Sequence, residues 1–192
     1  MIDLSNEKTI LVPVDFTVVA ATALNHANHI SKLLDKPVTL LHVVEKESDK
    51  EQAMHKLQTI ADDNKKGNHV ETTAVVSVGS FFTEIGKVAD DVKAALVVMG
   101  THGVKGMQKI MGSYALRVIT NSKAPYIVVQ KKPFASHGYK NIVLPMDFTR
   151  ETKQKLAWAV YLAKLFNSKC HLLAEYSSDE FIAKSKIGRA HV

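Results

Sequence analysis

Ala94-Ala95-Leu96-Val97-Val98-Met99-Gly100-Thr101-His102-Gly103 is an apolar run that breaks into two glycines three residues apart, and its reading decides the fold. Residues 94–99 are short, apolar and free of alternation, as a parallel strand buried on both faces must be. A strand that runs directly into glycines is what an α/β unit places at its ligand-binding end. Working outward, residues 9–15 and 37–44 are similar apolar runs, and residues 69–77 make a further strand. Between them, Ala20, Leu24, Ala27, Ile30 and Leu34 follow helical spacing, which predicts an amphipathic helix over 18–34. A polar helix is predicted over 48–66, and Phe82, Ile85, Val88, Ala89 and Val92 mark another. A helix over about 113–121 and a strand over 126–130 complete the alternation.

Five strands alternating with helices predict an α/β fold: an open five-stranded parallel sheet with helices on both faces and right-handed crossovers. For the strand order 3-2-1-4-5 the order reverses between the first and fourth strands. Ligands bind such sheets at the carboxyl ends of the strands, beside that reversal. The two strands concerned end at Asp15 and at Gly100, so topology and glycines point to one crevice.

Gly100 and Gly103 let the backbone turn sharply and approach a phosphate without an intervening side chain. Gly112-Ser113 falls where the next helix begins, and Ser113 is a residue type that caps helix N-termini. Unpaired N–H groups at a helix start and in a tight turn attract anions. The competing reading is that these glycines merely build a strand-to-helix loop. Four glycines and a serine between a buried strand and a helix favour phosphate binding over it. The spacing is neither G-x-x-x-x-G-K-[ST] nor a G-x-G-x-x-G after the first strand, which excludes a P-loop and a dinucleotide fingerprint.

The opening of the chain recurs. Lys8-Thr-Ile-Leu-Val-Pro-Val-Asp15-Phe16-Thr17 returns as Lys140-Asn-Ile-Val-Leu-Pro-Met-Asp147-Phe148-Thr149, at an offset of 132 residues. Twelve of the 34 positions from Lys8 to Leu41 are identical at that offset, including Leu24 with Leu156 and Ala27 with Ala159. The repeat predicts one unit over residues 1–132, a linker over 133–139 and the opening of a second unit over 140–192. Only 19 residues follow Leu173, and none resembles the glycine loop.

Hydrophobic residues make up 46% and charged residues 23%, the balance of a globular protein with a sizeable core. No apolar run approaches the ~18 residues of a membrane span, and Met1–Glu7 lacks the features of a secretion signal. Cys170 is the one cysteine, so no intrachain disulfide exists and a reducing cytoplasm is expected. The net charge of +6 comes from scattered lysines with doublets only at Lys65-Lys66 and Lys131-Lys132. That pattern is a solvated surface with a modest field for anions rather than a nucleic-acid footprint.

Taken together, Ile10–Thr17, Leu41-His42-Val43, Met99–Gly103, and Gly112-Ser113 followed by Ala124-Pro125-Tyr-Ile-Val-Val129 resemble a universal stress protein. The resemblance spans the whole first unit, and the second unit resembles the start of another such domain. It implies a protein that binds ATP, or AMP or ADP, at G-x-x-G, usually nine residues, then G-[ST]; here eight residues separate Gly103 from Gly112. Carried over by position, Asp15 contacts ribose or adenine with Pro13 and Val14 beside it, and Val43 lines the adenine pocket. Met99, Gly100, Thr101, His102 and Gly103 hold ribose and phosphates, and Gly112, Ser113, Tyr114 and Ala115 hold the phosphate tail. The resemblance also implies Mg²⁺ held through the nucleotide's phosphates, and pairing of domains or chains through the strand Tyr126–Val129.

Among single residues, Asp15 is expected to serve the crevice, the alternative being a cap on the following helix. His42 is expected to be a core or crevice histidine rather than a catalytic one. His102 is the histidine best placed for a ligand. His26 and His29 lack a third ligand at zinc spacing, and Ser113 lacks a His-Asp partnership for nucleophilic chemistry. The expected function is a cytoplasmic nucleotide-binding stress-response protein with little or no hydrolysis, whose nucleotide state tunes association with partners. A nucleotide-free interaction module of the same fold is the alternative. A phosphate-transfer receiver fits poorly, since Asp15 alone ends the first strand.

Overall fold

The computed structural model describes residues 2–100, 117–120, 122–132, 134, 138–146 and 152–174. The chain divides into two compact units, residues 4–134 and residues 135–192 with 1–3.

In the first unit β1 (Thr9–Pro13), β2 (Val38–Val44), β3 (Thr72–Val78), β4 (Ala94–Gly100) and β5 (Tyr126–Val129) form one sheet in the order β3-β2-β1-β4-β5. Every pair is parallel, as the alternation of strands and helices predicts. The crossover helices are α1 (Val18–Leu34), α2 (Lys50–Asn68, after a 3-10 turn at Glu47–Asp49) and α3 (Phe81–Asp91). Successive steps from β1 to β2 to β3 run the same way across the sheet, so right-handed crossovers place α1 and α2 on one face. The return from β3 to β4 places α3 on the other. On the α3 face Leu11, Leu41, Val97 and Met99 pack with Ile85, Val88 and Ala89, and with Val118 from the helical residues 117–120.

Most boundaries fall within two residues of the sequence expectation, β1 ending at Pro13 rather than at residue 15, and two others differ for a visible reason. Helix α2 does not stop before Gly67 but runs on to Asn68, whose Nδ2 donates to Asn64 Oδ1 one turn back at 3.0 Å. The left-handed residue that ends it is His69, at φ 54°. Strand β3 consequently begins at Thr72 rather than at 69.

The second unit contains β6 (Asn141–Met146), α4 (Thr152–Phe166) and β7 (Lys169–Ala174), with β6 and β7 parallel. At the 132-residue offset these elements correspond to β1, α1 and β2, with bounds that agree to within two residues. The helix ends correspond in detail. Asp35 and Asn167 are both left-handed, and Lys36 N donates to Ser31 O as Ser168 N donates to Ala163 O. Val143, Leu172 and Leu173 are each more than half exposed in this short sheet.

One polar cluster lies inside the first unit. Asn28 of α1 and Asn64 of α2 exchange amide hydrogen bonds at 2.6 and 3.0 Å, and Asn64 Nδ2 also donates to Thr72 Oγ1 at 2.8 Å. All three side chains are buried, so each amide satisfies the other where water cannot. This fixes the register of α1 against α2 and of both against β3. Asn64→Leu leaves Asn28 and Thr72 without those partners at about 1–3 kcal/mol per group. Urea unfolding is expected to show a loss of about 3 kcal/mol with an unchanged m-value.

Candidate functional site

The carboxyl end of β1 is where the sheet comes apart, and the cause is covalent. Ile10 and Val14 both donate their N–H toward β2, to the carbonyls of Pro37 (2.9 Å) and Leu41 (2.7 Å). Backbone groups alternate sides along a strand, so Leu11 and Pro13 face β4. Pro13 has no N–H to give. The β1–β4 ladder accordingly ends at Leu11↔Val97, while β4 goes on pairing with β5 as far as Gly100↔Val129. Met99 and Gly100, beyond the last β1–β4 rung, thus have a strand partner on one side only, at the point where strand order reverses.

On its other side β1 is ended by a histidine. The ladder with β2 runs to Pro13↔Leu41. The next rung would bring the Val43 N–H to the Val14 carbonyl. That carbonyl instead accepts from His42 Nδ1 at 2.6 Å. A carbonyl only accepts, so Nδ1 carries the proton and, in the neutral ring, Nε2 is left as an acceptor. The same alternation that sends Leu41 O to Val14 turns the Val43 N–H and C=O toward the β1 side. Among the described residues neither group has a hydrogen-bond partner there.

Beyond Val14 the chain turns into α1. Phe16 takes a left-handed conformation (φ 60°), which costs a non-glycine residue about 1–2 kcal/mol, and its ring lies 4.4 Å from that of His42. Asp15 Oδ1 accepts from both Thr17 N (3.1 Å) and Thr17 Oγ1 (2.6 Å). Thr17 Oγ1 in turn accepts from Ala20 N (3.3 Å) as the N-cap of α1. Asp15 therefore orients the cap and adds a negative charge at the positive end of the helix. Its second oxygen has no hydrogen-bond partner among the described residues, and the residue is partly exposed. The structure thus gives Asp15 a hand in capping through one oxygen and leaves the other open.

Gly100 has a packing reason to be glycine. A Cβ there would meet Val19 Cγ1 at 2.6 Å and the Val19 carbonyl at 3.1 Å, so the first turn of α1 lies directly over the end of β4. The Met99 side chain is 5% exposed within the α3-side core, and Val43 packs against the same cluster. Val14 is buried with its carbonyl engaged. What Met99 offers a ligand is backbone. Pro13, Val14, Asp15, Val43, Met99 and Gly100 thus gather at the ends of three adjacent strands. Thr101, His102, Gly103, Gly112, Ser113, Tyr114 and Ala115 lie outside the described residues. The Arg117 guanidinium sits 4.4 Å over the Phe82 ring of α3.

Sequence reasoning missed two parts of this end of the sheet. A threonine just before a helical period is a recognised N-cap signal, so Thr17 was there to be found. The use of His42 depends on the register of β2 against β1, which no local pattern encodes. His26 and His29 do other work: their rings lie 5.2 and 4.2 Å from Phe134, and His26 Nε2 is 3.0 Å from Lys132 O. Among the described residues no three His, Cys, Asp or Glu side chains are placed to hold a metal, and no helix is long and apolar enough to cross a membrane.

Comparison with known proteins bears on this geometry. Residues 7–130 match the model of the universal stress protein family. Two curated relatives come from Methanocaldococcus jannaschii. Universal stress protein MJ0531 is 32% identical over 145 residues, covering 65% of this chain and 82% of the relative. Universal stress protein MJ0577 is 29% identical over 155 residues, covering 65% and 96%. Among solved structures, a universal stress protein in complex with cAMP is 20% identical with a TM-score of 0.54, over 65% of this chain and 98% of that one. The universal stress protein of Archaeoglobus fulgidus in complex with dAMP is 23% identical with a TM-score of 0.52, over 64% and 96%. Another from Archaeoglobus fulgidus DSM 4304, 17% identical with a TM-score of 0.69, shares its fold over 97% of this chain and 74% of its own.

Gly100→Ala is expected to destabilise the first unit by about 1–3 kcal/mol through overpacking, measured by chemical denaturation. Val19→Ala in the same chain should restore part of the loss, because the Val19 carbonyl still crowds the new methyl group. An unchanged midpoint for Gly100→Ala would show that the contact with α1 does not set this position.

Proposed function

This chain belongs to the universal stress protein family, and on that premise we propose that it binds an adenine nucleotide, ATP or its AMP and ADP relatives, at the parted ends of β1 and β4. The observation that carries the proposal is the loss of pairing on both sides of β1 at the topological reversal, where open sheets take ligands. The unpaired Val43 N–H and C=O match the edge of adenine: the N–H donates to a ring nitrogen and the C=O accepts from the exocyclic amino group. The open oxygen of Asp15 suits a ribose hydroxyl. Gly100, Thr101, His102 and Gly103, with Gly112, Ser113, Tyr114 and Ala115, supply the loop and helix start for the phosphates, and Mg²⁺ rides on those phosphates. Relatives of the same fold in complex with cAMP and with dAMP support an adenine ligand.

Binding with little or no hydrolysis is part of the proposal. The chain has no lysine-bearing P-loop, and Asp15, the carboxylate that follows β1, is already committed through one oxygen to the α1 cap. Residues 140–192 are proposed as a partial second universal stress protein repeat, joined by the linker 133–139. The strand Tyr126–Val129, which is β5 at the edge of its sheet, is proposed as the strand through which domains or chains pair. A cytoplasmic regulatory or protective role, with nucleotide state tuning partner association, is proposed by analogy with the family.

The test is titration of the full chain with a fluorescent ATP analogue, followed by displacement with ATP. Saturable binding in the micromolar range is expected, with a loss of at least about tenfold in Gly112→Val. A wild-type chain without saturable binding below about 1 mM favours the nucleotide-free interaction module instead.

A further inference from the structure

We propose that His42 is a positioning residue that holds the Val43 backbone open for the base, by taking the Val14 carbonyl that would otherwise pair with the Val43 N–H. The inference rests on the nucleotide reading above but adds a residue and a device to it. Three observations carry it. The first is the hydrogen bond itself, His42 Nδ1 to Val14 O at 2.6 Å, made at the position where the β1–β2 ladder stops. The second is the bracing of the ring: Phe16, in its left-handed conformation, lies 4.4 Å from the imidazole and keeps it over the end of β1.

The third is a comparison that the chain contains within itself. Position 174 of the second unit corresponds to position 42 at the 132-residue offset, and it is alanine. There the β6–β7 ladder includes Pro145↔Leu173, the counterpart of Pro13↔Leu41, and adds one more rung, Met146↔Ala174. The counterpart of that rung in the first unit is Val14↔His42, and it is missing. Both units carry proline at the corresponding strand position, so proline is not the difference. The imidazole is. Where a side chain can reach the last carbonyl, the ladder stops one rung early; where only a methyl group is present, it continues.

The chemical consequence is specific. A free N–H and C=O on one residue, turned to the same side, form a donor–acceptor pair. An adenine edge offers an acceptor nitrogen and an amino donor to such a pair. A 6-oxo purine such as hypoxanthine carries an acceptor oxygen in place of that donor, directly against the Val43 carbonyl. His42 thereby favours an aminopurine without touching it.

The experiment has two arms on the full chain, comparing wild type, His42→Ala and His42→Asn. Asparagine keeps an N–H donor at nearly the reach of Nδ1 and serves as the conservative rescue. In the first arm, amide hydrogen exchange without nucleotide is followed by NMR. The Val43 amide of wild type is expected to exchange at least about tenfold faster than that of Val14. In His42→Ala it slows to match as the extra rung forms, and in His42→Asn it stays fast. A Val43 amide already protected in wild type, or unchanged in His42→Ala, overturns the proposal. In the second arm, ATP and ITP are titrated into each chain. The preference for ATP over ITP is expected to fall by at least about tenfold in His42→Ala and to be retained in His42→Asn. An equal loss of both nucleotides would assign His42 a purely structural role and overturn the proposal. Wild type that binds neither nucleotide defeats the reading on which the proposal rests and, with it, the role in base recognition. The exchange arm still tells whether His42 opens the backbone.

Discussion

A strand in the middle of a parallel sheet owes hydrogen bonds to both neighbours, and β1 cannot meet that obligation at its carboxyl end because Pro13 has no N–H. Much of the first unit's upper edge follows from this. The residue's position in the alternation decides which neighbour is affected, and it is β4, the strand across the reversal of order. A proline one residue later or earlier would have opened β1 toward β2, where crossovers on one face close the gap. At residue 13 it opens the sheet at the single place where helices leave from opposite faces.

The opening is held by compensations that each use a nearby group. His42 satisfies the Val14 carbonyl, Thr17 satisfies an N–H of α1, and Asp15 holds Thr17 in place. Gly100 allows the first turn of α1 to lie against the end of β4, which seats the positive end of that helix beside the opening. Among the described residues the Val43 N–H and C=O are left without a partner on the β1 side. A polar group left without a partner at a partly buried strand end is costly to keep, which gives a ligand with matching donors and acceptors something to gain by binding. The second unit retains the proline and aspartate of the repeat but not the histidine, so its strand pair closes one rung further.

Much of this was legible in the residues. The sheet order, the reversal between Asp15 and Gly100 and the family rest on apolar runs, helical spacing and a short ordered set of motifs, all of which are local. The end of α2 lies beyond the expected residue 66 for a local reason too: the Asn68 side chain bonds Asn64 one turn back, and the helix runs to Asn68 before His69 caps it. Gly100 was read as permission for a phosphate to approach, and the structure adds a second reason in Val19. Met99 is expected at the ligand loop, and because its side chain lies in the core that role would fall to its backbone.

By itself, then, the sequence determined which segments are strands and helices, that they alternate, and that a proline, an aspartate and a glycine fall at strand ends. Those follow from periodicity and from covalent properties such as a missing N–H, which act wherever the residue sits. Only the tertiary structure decided what lies opposite what: that Pro13 faces β4, that His42 reaches Val14, that Asp15 spends one oxygen on Thr17 and keeps the other open. Register and alternation across strands are set by the packing of the whole sheet, and a shift of one residue would send each of these groups to a different neighbour.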